Sequence, residues 1–407
     1  MSKLSHSILL MVLVLVNTAC RHKKDDPTPE PITTRTVLVY MAADNSLGQL
    51  DLASDDIEEL RKGVLSTNSK TDNLLYYIDN YSGNPRLVKL DINGTTYQET
   101  TVKTYPEHNS VSVNTMSQVI ADVKAAYPAT SYGLVLWSHA DGWVPSAKAT
   151  VASSTTRWWG EDAGFYSYMD IPDLKTVLSS APRFSFILFD ACFMSSAEVI
   201  YELRDYCDYL IACPAEIPGP GAYYPDVVPA MFNYMDTEAN NVGLSIASAY
   251  YTHYANSYNP AIPNSNNNWT AGVCIEAVKT KNIDMLASAT NNIITAHIHD
   301  SEAIDASGIY NYDNRQAKRY YHDMKEFIQH IANAKEYAEW KSAFDKAVIY
   351  WAATPKIYTA AKSDVVEVDN NAGGLSVYLP NSGQPSLNTY LKKLEWYRAA
   401  GWNSTGW

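Results

Sequence analysis

The sequence predicts an α/β fold built on a mainly parallel sheet. Short apolar runs recur along the 407 residues and alternate with amphipathic segments. Polar or Pro/Gly-rich stretches separate them, so successive strands are joined by crossovers that suit parallel pairing. A hydrophobic content of 46% with 18% charged residues supplies a globular core. The length accommodates one large domain with an accessory region, or two domains.

Thr36-Val-Leu-Val-Tyr-Met41 reads as the first strand and runs into the polar turn Ala42–Ser46. Leu50–Lys62 carries Leu52, Ile57 and Leu60 on one helical face. Asn73–Asp79 is a second strand. Arg86–Asp91 and Thr95–Thr101, joined through Asn93-Gly94, carry a hairpin signal. Asn114–Tyr127 reads as a helix capped by Asn114. Tyr132–Trp137 is a buried strand that ends at Ser138-His139-Ala140-Asp141-Gly142. Val144–Asp170 is polar, aromatic and irregular, and Pro172–Ser179 suggests a short helix.

Phe184-Ser-Phe-Ile-Leu-Phe-Asp190 is a continuous apolar run of the kind buried on both faces of a sheet. It stops at Asp190-Ala191-Cys192, and Met194–Leu203 reads as the following helix, whose N-terminal amides would favour a thiolate at Cys192. Asp208–Cys213 is another strand and Pro214–Tyr224 a Pro/Gly loop. Helical patterns at Asp236–Tyr254 and Ile283–Thr295 flank a strand at Ala271–Ala277. Residues 310–350 look helical. Gly373–Leu379 is a late strand that either returns to the main sheet or belongs to a separate region beginning near residue 300.

The N-terminus reads as targeting sequence. Lys3 precedes an apolar stretch, Ile8–Val16, too short to span a bilayer as a mature helix. Thr18-Ala19-Cys20 then resembles the cleavage site of a bacterial lipoprotein signal, which would leave Cys20 lipidated and the protein at the outer membrane or cell surface. Ordinary secretion, with Cys20 discarded, is the alternative. Residues 21–35 are polar with Pro27, Pro29 and Pro31, an extended tether. Within it, Lys23-Lys24-Asp25-Asp26 resembles the charged signals that send some Bacteroidetes lipoproteins to the cell exterior. The domain reading is therefore 1–20 signal, 21–35 tether, 36–300 core, and 301–407 a C-terminal region packed on that core.

The net charge of −13 excludes a nucleic-acid partner, because nothing here would displace counterions from phosphates. Cys192, Cys207, Cys213 and Cys274 lack Cys-x-x-Cys spacing, which excludes zinc ribbons and thioredoxin-like sites. Cys213 and Cys274 lie in apolar runs and read as core thiols. There is no Gly-x-Ser-x-Gly and no His-Glu-x-x-His.

His139 and Cys192 each stand just past the end of a buried strand. Neighbouring parallel strands would bring them to one sheet edge, where open α/β sheets place their chemistry. A cysteine nucleophile needs a nearby base and an oxyanion hole. On an extended strand Asp190 points the same way as Cys192, toward the same cleft.

Val39-Tyr-Met-Ala-Ala-Asp-Asn45, Leu134-Val-Leu-Trp-Ser-His139, Leu188-Phe-Asp-Ala-Cys-Phe-Met194, Ile217-Pro-Gly-Pro-Gly221 and Gly374-Leu-Ser-Val-Tyr-Leu-Pro380 together resemble the clostripain-like cysteine peptidases, of the caspase, gingipain and legumain clan. The resemblance implies a caspase-like α/β/α sandwich with a C-terminal helical extension. It implies an endopeptidase cutting peptides or proteins after Arg or Lys, with no required cofactor. Cys192 would be the nucleophile and His139 the acid/base. The N–H groups of Cys192 and Ala140, or a neighbour, would form the oxyanion hole. Asp190 would pair with the basic P1 side chain, with Asp44 and Glu216 as further substrate-binding acids. Lys148 and Arg157 would be processing sites in an activation segment. Some relatives use calcium, for which Glu161, Asp162, Asp170 and Asp173 are the candidate oxygens.

Two positions depart from the family pattern. Ala140 stands where His-Gly is usual, and Pro220 stands where an acid often helps hold the basic residue. Both leave open a second reading: a catalytically impaired surface lipoprotein that binds peptides, or glycans through exposed aromatics such as Trp158-Trp159.

Overall fold

The computed structural model describes residues 34–144, 158–262, 268–313, 320–360 and 364–407. Residues 1–33, with Cys20, and Lys148 and Arg157 lie outside the described residues; Arg35, expected as the end of the tether, is instead the first residue of the first strand. Thr33–Trp407 forms one compact unit.

Its centre is a nine-stranded sheet. In chain order the strands are β1 (Arg35–Ala43), β2 (Asp72–Asn80), β3 (Arg86–Asn93), β4 (Thr96–Thr104), β5 (Ser131–Trp137), β6 (Phe184–Asp190), β7 (Cys207–Ala212), β8 (Cys274–Lys279) and β9 (Val348–Ala353). Across the sheet they run β9-β8-β7-β6-β5-β1-β2-β3-β4. The run β7-β6-β5-β1-β2 is parallel. Antiparallel pairs finish both edges. The mainly parallel expectation therefore describes the centre, where the site lies, and antiparallel strands close the rims, as a hairpin meander on the β4 side and through long crossovers on the β9 side.

Side chains alternate across β1. Val37, Val39 and Met41 face one core layer; Leu38, Tyr40 and Ala42 face the other. Helices Leu52–Gly63, Tyr224–Met231 and Val242–Ser257 pack on the first face. Val113–Ala126, Ile171–Ser180, Ile283–His297 and the C-terminal helices pack on the second. This is an α/β/α sandwich.

Several boundaries differ from expectation. Ser112, not Asn114, caps the helix Val113–Ala126, accepting from the Thr115 N–H at 3.2 Å. The irregular stretch before Asp170 contains a small ladder, Trp159–Asp162 against Ser167–Met169. The late strand shrinks to Ser376–Val377 and pairs with His322–Asp323, outside the main sheet. The C-terminal region instead contributes β9 to it. Its apolar residues Val348-Ile-Tyr-Trp351 follow the helix Ala334–Ala347 directly, so they read as more helix.

Candidate active site

β5 and β6 end side by side. Their register pairs Trp137 with Asp190, which brings His139 and Cys192, each two residues further on, to the same level of the sheet edge. Adjacent strands lie about 4.8 Å apart, and both residues line one cleft of about 380 Å³.

Cys192 does not sit on a helix N-terminus. The helix begins at Ala197, capped by Ser196, after a turn that leaves the strand. Within this turn Phe193 takes a left-handed conformation, φ 59°, which is costly for a residue with a side chain. Three contacts hold it there. Its N–H donates to Ala215 O at 2.9 Å, Ser195 N–H donates to Cys213 O at 3.0 Å, and its ring stacks on Tyr321 with centroids 4.9 Å apart. Sγ accepts from the Ile217 N–H at 3.4 Å.

His139 is half-buried, and burial pushes its pKa down to about 4, so the ring is neutral at physiological pH. Its Nε2 lies 2.8 Å from Ser46 Oγ. The segment after it pairs with Trp159, through Asp141 N–H to Trp158 O and Gly160 N–H to His139 O. That pairing leaves out the Ala140 N–H, and Ala140 is not among the residues of positive φ. At Gly142, φ is +79° and a Cβ would lie 2.0 Å from the Tyr321 hydroxyl, so glycine is needed at that position. Tyr321 thus ties both sheet-edge turns together, since its ring stacks on Phe193 and its hydroxyl donates to Asp141 O at 2.5 Å.

Asp190 lies at the back of the cleft and is buried. Oδ2 accepts from Ala222 N–H at 3.0 Å and Tyr224 O–H at 2.9 Å; Oδ1 accepts from Tyr250 O–H at 3.1 Å. Burial raises its pKa to about 6 against these donors. Gly221 takes φ +60°, and a Cβ there would stand 2.7 Å from both carboxylate oxygens. Glu216 also lines the cleft and accepts from Thr359 O–H at 2.7 Å and Ala360 N–H at 2.9 Å. Asp44 is placed elsewhere. It is not among the lining residues, and its Oδ2 accepts from Gly164 N–H at 3.0 Å. Asp141 and Glu161 complete the acidic lining, and among the described lining residues none is Lys or Arg.

The aromatic pair expected to be exposed is not. Trp159 is fully buried and Trp158 nearly so, its ring centroid 4.2 Å from that of Tyr168 in a tilted pair. The carboxylates considered for calcium are engaged otherwise. Asp162 accepts from Ser110 and from the Phe165 N–H, Glu161 accepts from Tyr168, and Asp170 and Asp173 begin the helix Ile171–Ser180. Among the described residues no group of three or more His, Cys, Asp or Glu is arranged to hold a metal ion. These residues do not fit a calcium site. Cys213 and Cys274 are buried, with sulfurs 3.3 Å apart.

Sequence reasoning did not find Ser46, Tyr224, Tyr250, Tyr321 or Tyr358 at the site. They reach it through tertiary packing, from positions no local motif marks.

The profile of the clostripain family matches residues 39–407. The chain belongs to that family. It is a cysteine peptidase by membership. A secreted C11 cysteine protease from Bacteroides thetaiotaomicron, solved with an irreversible peptide inhibitor, is 38% identical with a TM-score of 0.81, over 91% of this chain and 100% of that one. An inactive zymogen C11 protease from Parabacteroides distasonis is 32% identical with a TM-score of 0.75, over 91% and 99%. A B. fragilis cysteine protease is 44% identical with a TM-score of 0.57, over 61% and 99%. No curated protein matches.

Proposed function

We propose that this clostripain-family member is an endopeptidase that cleaves after Arg or Lys through a Cys192–His139 dyad. The observation that carries the specificity is the cleft lining: Asp141, Glu161, Asp190 and Glu216, with no cationic side chain among the described lining residues. A guanidinium or ammonium group entering it gains charge-assisted hydrogen bonds, whereas an acidic P1 is repelled.

In this reading Cys192 Sγ attacks the scissile carbonyl carbon. The oxyanion is stabilised by the N–H groups of Cys192 and Ala140. His139, having taken the thiol proton of Cys192 as Sγ attacks, passes it to the departing amine, the C–N bond breaks, and a thioester remains on Cys192. His139 then takes a proton from water as its oxygen attacks the thioester carbon, the C–S bond breaks to release the acid, and the proton returns to Cys192 Sγ. The negative φ region at Ala140 supports this role, because a methyl there costs no backbone strain. It also weighs against the reading of an impaired binding protein, as does the burial of Trp159.

The signal-like N-terminus and the relative described as secreted support an extracytoplasmic location, with lipidation at Cys20 as the anchor. No helix among the described residues is long and apolar enough to cross a membrane. Processing at Lys148 or Arg157 is consistent with a relative solved as an inactive zymogen.

The deciding experiment is a P1 library of fluorogenic peptides with wild-type protein. Hydrolysis restricted to Arg and Lys supports the proposal. No hydrolysis, and no labelling of Cys192 by a thiol-reactive peptide, would overturn it.

A further inference from the structure

We propose that Ser46 is a positioning residue for His139: its hydroxyl oxygen accepts the Nε2–H of the ring and leaves Nδ1 as the nitrogen that serves the cleft. The inference rests on His139 being the acid/base of the proposed peptidase.

The geometry begins with the contact itself. Ser46 Oγ is 2.8 Å from His139 Nε2. His139 lines the cleft, and with Nε2 in this bond Nδ1 is the ring nitrogen outside it. Both partners of a hydroxyl–imidazole bond can donate while the ring is neutral. Only one direction survives protonation, since both nitrogens of an imidazolium are donors. A ring that must gain and lose a proton keeps its orientation if Ser46 accepts throughout.

Ser46 is exposed, so its position has to be fixed by something other than its own burial. Asn45 does this. It is fully buried, and its Nδ2 donates to Ala42 O at 2.9 Å, Ser138 Oγ at 3.2 Å and Glu161 O at 3.1 Å. Its Oδ1 accepts from Leu47 N–H at 2.9 Å and caps the one-turn helix Ser46–Gln49. One amide therefore joins the end of β1, the residue preceding His139, the ladder at Glu161, and the turn carrying Ser46. Gly48 presses that turn onto the sheet edge, because a Cβ there would lie 2.0 Å from Ala43 O and 2.4 Å from Asn80 Oδ1. Ser46 and His139 are thus two projections from one rigid edge. A base oriented by a third group is the general requirement for an activated nucleophile.

Ser46→Ala is expected to lower kcat about tenfold with KM within about twofold, because solvent replaces the lost hydroxyl only in part. Ser46→Thr, which keeps the hydroxyl, is expected to restore kcat. ¹⁵N NMR of imidazole-labelled protein supplies a readout independent of turnover: wild type should show His139 as the Nε2–H tautomer, and Ser46→Ala a mixture. An unchanged kcat and tautomer in Ser46→Ala, or a loss that Ser46→Thr shares, overturns the proposal. Should wild type prove not to hydrolyse peptides, the NMR comparison still decides the Ser46–His139 bond, so the two failures are separable.

Discussion

Trp137 pairs with Asp190 across β5 and β6, and this single register sets His139 beside Cys192. A slip of one residue would turn either side chain to the other face of the sheet. Trp137 is itself anchored, its indole N–H donating to buried Asp56.

Cys192→Ala and His139→Ala should each reduce hydrolysis of a basic-P1 peptide by about 10⁴-fold or more. Both residues are only partly buried, so thermal unfolding should stay within a few degrees of wild type. Initial rates and a melting curve check this. A mutant retaining a tenth of the rate would remove that residue from the dyad.

Asp190→Asn should fold. The amide oxygen can keep the Ala222 and Tyr224 bonds, and its NH₂ can donate to the Tyr250 oxygen, whose hydroxyl rotates to suit. What is lost is the charge. Preference for Arg over norleucine at P1 should fall about ten- to a hundredfold, the value of a hydrogen bond to a charged group. An unchanged kcat/KM ratio for the two substrates would exclude Asp190 as the cation partner.

Ala140→Gly should leave kcat within about threefold of wild type. Ala140 avoids positive φ, so the methyl that departs from the family pattern imposes no strain to relieve. A large gain would mean that Ala140 obstructs the oxyanion hole.

Stability should decline as pH rises from about 6.5 to 9. Burial lifts Glu198 to about 7 and Asp79 to about 8. Their folded pKa values exceed the unfolded ones. The native state therefore holds protons that the unfolded chain has released, and ∂ΔG/∂pH is negative through this window. His139, with its pKa lowered to about 4, acts in the opposite sense, but its effect is complete below about pH 6.5. Melting temperatures across the range test the sign. Asp79→Asn should flatten the slope; an equally steep slope would place the protons elsewhere.

Much of the candidate site was legible because the residues that line it sit on local signals. Tyr132–Trp137 and Phe184–Asp190 are apolar runs long enough to be strands only, and the polar residues that end them mark the sheet edge where His139 and Cys192 stand. The helix expected at Met194 begins instead at Ala197, because the left-handed Phe193 is stabilised by Ala215 and Tyr321, which are distant in sequence. β9 was missed for a related reason: its residues continue a helical pattern, and pairing with β8 overrides that preference.

The sequence alone determined the alternation of strands and helices, the two edge residues proposed to carry the chemistry, and the acid two residues before the thiol. These follow from side-chain periodicity and chain order. Tertiary structure decided which nitrogen of His139 is engaged, that Asp190 is held by Tyr224 and Tyr250 while Asp44 is turned to Gly164, and that Tyr321 locks the turns. Such contacts join residues far apart in the chain, and a hydrogen bond is set by where folding brings its two ends, not by any spacing along the sequence.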